Sequence, residues 1–260
     1  MKRVDQTISG SAIPEKRNNH LPLLFATLVT LCLWYVPYSN YILYPLRLFV
    51  TFLHEGGHAL AALVTGLGVQ SLHVHPDGSG LTWTGSTPMW DWLILSSGYV
   101  GTAVFGAALL QLLRIKSRFE SGRVALYLLS GFLLMISILW AHNPFNNPGG
   151  SPDFFTLPVG LSLSAILFLL GKFTPRNVAD FIAAFLAVQC GLNAMGDLGI
   201  LLHLTAAGSE HNDAAFMAKA YLLPAGLWAL IWASLSIGIL GTSLWTYVRG
   251  SIPKREIELA

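Results

Sequence analysis

The stretch Leu53-His54-Glu55-Gly56-Gly57-His58-Ala59-Leu60 sets two histidines four residues apart, with a glutamate beside the first, inside a run of otherwise apolar residues. On a helix, residues i and i+4 lie about one turn apart on one face, so both imidazoles can reach a single metal ion. Glu55 then stands beside that ion, where a general base for a metal-activated water has to be. Ionisable side chains at bilayer depth cost on the order of 2.5 to 3.5 kcal/mol each on insertion scales, so three together argue for a purpose. The plain alternative is a polar set that hydrogen-bonds across a helix bundle.

Outward from this stretch, composition decides the class. The 260-residue chain is 53% hydrophobic and 11% charged, with a mean hydropathy of +0.58. A soluble domain carries about a quarter charged residues, so this chain lacks the polar surface to face water on all sides and belongs in a lipid bilayer. The formal charge of +2 gives no basis for nucleic-acid binding, and the basic residues gather in loops and at the termini instead of along a stripe. Cys32 and Cys190 fall in apolar stretches, where a thiol acts as a small hydrophobe. Lys2, Arg3, Lys16 and Arg17 precede the apolar run Leu21 to Val36, which is longer than a signal-peptide core and lacks a small-residue cleavage site. It reads as an uncleaved first span.

About 20 apolar helical residues cross a bilayer core of about 30 Å, and about seven stretches approach that length. They are Leu21 to Tyr38, Tyr41 to Gly66, Trp92 to Leu113, Arg123 to Trp140, Leu157 to Gly171, Val178 to Leu204 and Ala218 to Val248. Pro158 and Pro224 near the starts of the last-named fifth and seventh stretches predict a bend or a late beginning there. The expected fold class is an all-α polytopic membrane protein, a bundle of about six to seven transmembrane helices. One insertion differs. Val69 to His75 alternates, Pro76-Asp77-Gly78-Ser79-Gly80 carries a turn signal, and Leu81 to Thr84 is β-prone again. This predicts a small β-hairpin directly after the metal-binding helix, with a connecting loop as the other reading; its free edge has to meet water or the metal cavity, because lipid cannot satisfy it. A free edge can also pair with an extended polypeptide. His73 and His75 share one side of the first strand and read as polar residues on a wet face.

Catalytic zinc keeps about three protein ligands and one open position, so the histidine pair needs a third group. Asp197, in Asn193-Ala194-Met195-Gly196-Asp197-Leu198-Gly199, is the carboxylate besides Glu55 that falls clearly inside a span, and alternating spans bring it to a similar depth. Asn193 lies one turn earlier, placed to orient that carboxylate, to donate to a substrate carbonyl, or simply to pack helices. Asp213, in His211-Asn212-Asp213-Ala214, competes for the same role, but at the start of a helix it reads better as an N-cap. Arg47, two turns before His54, could bind a substrate carboxylate or snorkel to the interface.

These residues carry a resemblance. His54-Glu55-Gly56-Gly57-His58-Ala59 on a membrane helix, the hairpin after it, Asp197 on a later helix, Ser97-Gly98-Tyr99-Val100-Gly101 opening the next span, and Asn212-Asp213-Ala214 followed by Pro224, Trp228 and Trp232 resemble the site-2 proteases. The closest likeness is to the small bacterial and plant site-2-protease-like branch, over about residues 45 to 240. The resemblance implies an intramembrane zinc endopeptidase that cleaves membrane-protein or peptide substrates. It implies zinc on His54, His58 and Asp197, Glu55 as catalytic base, and residence as a multi-pass protein of a bacterial inner membrane. Here the chain departs from the family: where classical members have N-x-x-P-x-P-x-L-D-G around the aspartate, it has Asn193-Ala194-Met195-Gly196-Asp197-Leu198-Gly199 and no prolines. Domain organisation follows: residues 1–20 as a polar N-terminal tail, 21–249 as one transmembrane metallopeptidase-like domain, and 250–260 as a polar C-terminal tail. Two other functions stay open, a catalytically inactive membrane scaffold and a metal-ion carrier that adds His73, His75, His142 or His203. Membrane orientation also stays open. The Arg and Lys of the later loops outvote the N-terminal group by the positive-inside rule, whereas the family's arrangement favours the N-terminal group.

Overall fold

The computed structural model describes residues 20–34, 36, 38–114, 120–148, 151–206 and 212–249; among these the side chains at 20–22, 31, 34, 39, 40 and 193–206 are not described. The described elements are α1 (His20–Trp34), α2 (Ser39–Val64), β1 (Val69–Val74), β2 (Gly80–Thr84), α3 (Asp91–Arg114), α4 (Ser121–Trp140), α5 (Thr156–Phe173), α6 (Arg176–Ala206), α7 (Asp213–Ala220) and α8 (Ala225–Arg249). Among the described residues four helices, α3, α4, α5 and α8, are long and apolar enough to cross a membrane. That is fewer than the six to seven spans expected. Among the described residues α1 has 15, and α2, although 26 residues long, is diluted by Arg47, His54, Glu55 and His58. The seventh expected span begins late, one of the two outcomes expected at Pro224: this residue has no N–H to donate and stands just before α8, and α7 ahead of it is a separate segment of 8 residues.

The hydrophobic core joins several elements, with Phe49, Phe52 and Leu53 of α2, Leu72 and Val74 of β1, Leu109 and Leu110 of α3, Leu126, Leu129 and Leu133 of α4 and Ala183 and Leu186 of α6 in one buried cluster. Gly57 lets α3 come close to α2, since a methyl there would strike the carbonyl oxygen of Ser97, and a methyl on Gly56 would strike the ring of Phe132. Both glycines therefore serve helix packing. α2 ends at Val64, and two residues on Gly66 takes a φ of 75° that glycine adopts easily. The Leu67 N–H then returns to the Ala62 carbonyl at 3.0 Å, and the chain turns back into β1.

The hairpin forms as expected. β1 and β2 are antiparallel, with Leu72 opposite Thr82 and Val74 opposite Gly80, and an irregularity between Val69 and Ser71. Hydroxyls stitch it lengthwise to α2: Tyr44 donates to the Pro76 carbonyl at 2.6 Å, Thr51 to that of Gly78 at 2.8 Å, and Thr82 to that of Glu55 at 3.1 Å. The outer edge of β1 is also covered, because the Val74 N–H donates to Thr156 Oγ1 at 2.7 Å and the Asn146 side-chain amide donates to the Gln70 carbonyl at 3.1 Å. Covering that edge removes backbone groups that lipid could not satisfy.

His73 corrects one expectation. It is 1% exposed, not on a wet face, with Nδ1 2.7 Å from Asp153 Oδ2 and Nε2 3.0 Å from the Asn146 carbonyl. The alternation of the strand told which residues share a side, but the groups folded over that side, Asn146 and Asp153, come from 73 and 80 residues further on. Burial by itself would raise the Asp153 carboxyl, yet hydrogen bonds from Thr156 and His73 hold it below the usual carboxylate range. A group whose folded value is depressed contributes stability above its unfolded value and loses that contribution as pH falls through the folded one. Asp153→Asn is therefore expected to lower melting by the equivalent of about 1–3 kcal/mol at neutral pH. The gap between the two proteins should close as the medium is acidified below about pH 4, as read by thermal melts in detergent.

Candidate metal centre

α2 carries the centre on a face that the rest of the fold largely encloses. Glu55 is 4% and His58 6% exposed, and the rings of His54 and His58 lie edge to face with centroids 4.9 Å apart. The Nδ1 of His58 is 2.6 Å from the Ile94 carbonyl on α3. A carbonyl only accepts, so Nδ1 carries the proton and Nε2 is left bare toward the cleft, which is the tautomer a metal ligand needs. His54 is braced differently: the Tyr99 ring stands perpendicular to it at 4.6 Å and is itself stacked on Trp232 at 5.3 Å. Trp232 is anchored in turn by its indole N–H, which donates to Ser96 Oγ at 2.8 Å.

The third group is Asp213. Its Oδ2 lies 3.3 Å from His54 Nε2 and 3.5 Å from His58 Nε2, and among the described residues these three form the one His/Asp group whose ligand atoms converge, all within 4.8 Å of one another. Atoms bound at about 2.0–2.1 Å to one tetrahedral zinc stand about 3.3–3.4 Å apart, and the two His–Asp distances, which also suit direct ion pairs, are compatible with that spacing. Space is present as well. A methyl on Gly98 of α3 would collide with the Nε2 atoms of both histidines, so the absence of a side chain there keeps the nitrogens accessible. Residues and cradle together fit a zinc ion. Gly98→Ala is expected to cost about 1–3 kcal/mol of stability by overpacking, read as a lowered melting temperature, because α3 is pressed too close to α2 to retreat.

The expected N-cap role of Asp213 is corrected. Asn212 is the cap of α7, its side-chain oxygen accepting from the Ala215 N–H at 2.9 Å. That leaves the Asp213 carboxylate free to point at the imidazoles. α7 is held in place by Ala214 and Met217, packed with Ala229 and Trp232 of α8 and bordered by Tyr99. Asn and Asp rank about equally as caps, so the Asn212-Asp213 pair gives no local means of telling cap from ligand. Asp197 and Asn193 lie on α6, and their side chains are outside the described residues.

Glu55 sits on the hairpin side of the centre. Its Oε2 accepts from Thr82 Oγ1 at 2.7 Å, and Gly80 leaves the room its carboxylate occupies. Neither residue was legible as functional, because a two-residue alternation marks a face without saying what lies under it. Arg47 is exposed, and its guanidinium packs against Gly78 in the hairpin turn. All of these border one cleft of about 550 Å³ between β2, α2, α3 and the start of α7, with Arg47 at one end and Phe216 among its walls.

No curated protein and no solved structure matches this chain. The model of the peptidase M50B-like family matches residues 24–243, which takes in every element from the body of α1 to most of α8. With its two histidines and glutamate on α2 and its hairpin lying along that helix, the chain belongs to the peptidase M50B-like family of site-2-protease-like membrane proteins.

Proposed function

We propose that this protein is an intramembrane zinc-dependent endopeptidase, with His54, His58 and Asp213 as the metal ligands and Glu55 as the catalytic base. The observation that carries the reading is the convergence of the two imidazoles and the Asp213 carboxylate beside a buried glutamate that is not one of them. A zinc ion there supplies a Lewis acid that polarises the scissile carbonyl and lowers the pKa of water. The residues of the chain do the rest. Glu55 accepts a proton from water as the water oxygen bonds to the carbonyl carbon, and returns it to the amide nitrogen as the C–N bond breaks. The Ile94 carbonyl holds His58 in the required tautomer, and Tyr99 keeps the His54 ring from turning. The cleft, open beside β2, has room for an extended segment of a membrane protein, and a helical substrate would have to unwind there to expose its carbonyls. Arg47 at the end of the cleft would meet an acidic substrate group. A metal carrier has no need of a buried glutamate held beside the ligands, whereas hydrolysis does.

The test is metal removal. The full chain, purified in detergent, is expected to hold about one zinc per molecule and to cleave fluorescent casein; 1,10-phenanthroline should abolish cleavage and added zinc restore it. Cleavage that persists in the metal-free protein would overturn the reading.

A further inference from the structure

The hairpin does more than roof the cleft. Gly80 and Thr82 stand two apart on β2 and so share one face, and both are turned onto Glu55. Gly80 leaves space for the carboxylate, and the Thr82 hydroxyl, part-buried, reaches both its Oε2 at 2.7 Å and the Glu55 backbone oxygen at 3.1 Å. Among the described residues Thr82 is the one hydrogen-bond donor to this carboxylate, which is otherwise enclosed. A buried carboxylate with a single donor takes its rotamer from that donor, since any other setting leaves an unsatisfied charge. Position is secured at longer range too: Thr51 and Tyr44 fix the turn to α2, and His73 with Asp153 fixes the opposite strand.

We infer that Thr82 is the positioning residue for the base, holding one Glu55 oxygen so that the other is presented to the reacting water, and that β2 is thereby part of the catalytic apparatus. The inference rests on the endopeptidase reading. Thr82→Val keeps the shape and β-propensity of the side chain and removes only the donor, so with casein as probe kcat is expected to fall about tenfold while KM moves less than about twofold. Zinc content should be unchanged. Thr82→Ser, which keeps the hydroxyl, should recover kcat to within about threefold of wild type. A readout independent of turnover accompanies these: melting of the wild type, Thr82→Val, Glu55→Ala and the double variant in detergent, where the two exchanges should be non-additive. If Val and Ser variants behave alike, or if the melting effects add, the inference is overturned. If the wild type itself cleaves nothing while the melting cycle still shows coupling, the endopeptidase reading has failed and the contact is structural only.

Discussion

Asp213→Ala protein is expected to be purified without zinc and to cleave no probe above background, whereas Asp197→Ala protein keeps its metal. The reasoning is one of ligand count. Removing Asp213 leaves two imidazoles, fewer than the about three protein groups a catalytic zinc retains. The loss in affinity should exceed the about 10- to 100-fold that follows from removing an outer hydrogen-bonding partner of a ligand. Because Asn212 and not Asp213 caps α7, the helix itself should survive the exchange, so circular dichroism of the variant should match wild type. Metal analysis by plasma mass spectrometry decides the matter. Zinc retained in Asp213→Ala and absent from Asp197→Ala would move the third ligand to α6.

Glu55→Gln should separate binding from chemistry. Glutamine keeps the size of the side chain and can still meet the Thr82 hydroxyl through its carbonyl oxygen, but it cannot take a proton from water. Hydrolysis is expected to fall by about 10²- to 10⁴-fold, the range ascribed to a positioned general base. Zinc content should remain at the wild-type level, since Glu55 is not among the converging ligand atoms. Active-site titration of casein cleavage alongside metal analysis would check both halves. Undiminished cleavage would remove Glu55 from the mechanism.

What could be read from the chain follows the range of the forces involved. The histidine pair, the helices around it and the hairpin were legible because each depends on neighbours a few residues away: four-residue spacing, apolar runs, and alternation around a Pro-Asp-Gly turn. The break at Pro224 was legible for the same reason: a bend or a late beginning was expected there, and α8 begins at Ala225. The approach of Asp213 to the two imidazoles was not legible. Depth within an apolar stretch favoured Asp197, and only the packing of Met217 and Ala214 against α8 brings a short non-spanning helix to the histidines. His73 misled for a related cause, since what covers it, Asp153, is 80 residues away.

The distance along the chain between His54 and Asp213, 159 residues, has a consequence for biogenesis. Synthesis proceeds from the N-terminus, so the histidines and glutamate are in place well before the carboxylate that completes the set emerges. On the endopeptidase reading, a nascent or truncated chain ending before α7 would carry three of the four groups, His54, Glu55 and His58, without the carboxylate that closes the set. On the same reading, an ion held by all three ligands would tie α7 back to α2 as a non-covalent cross-link, so that docking of α7 and completion of the centre would coincide.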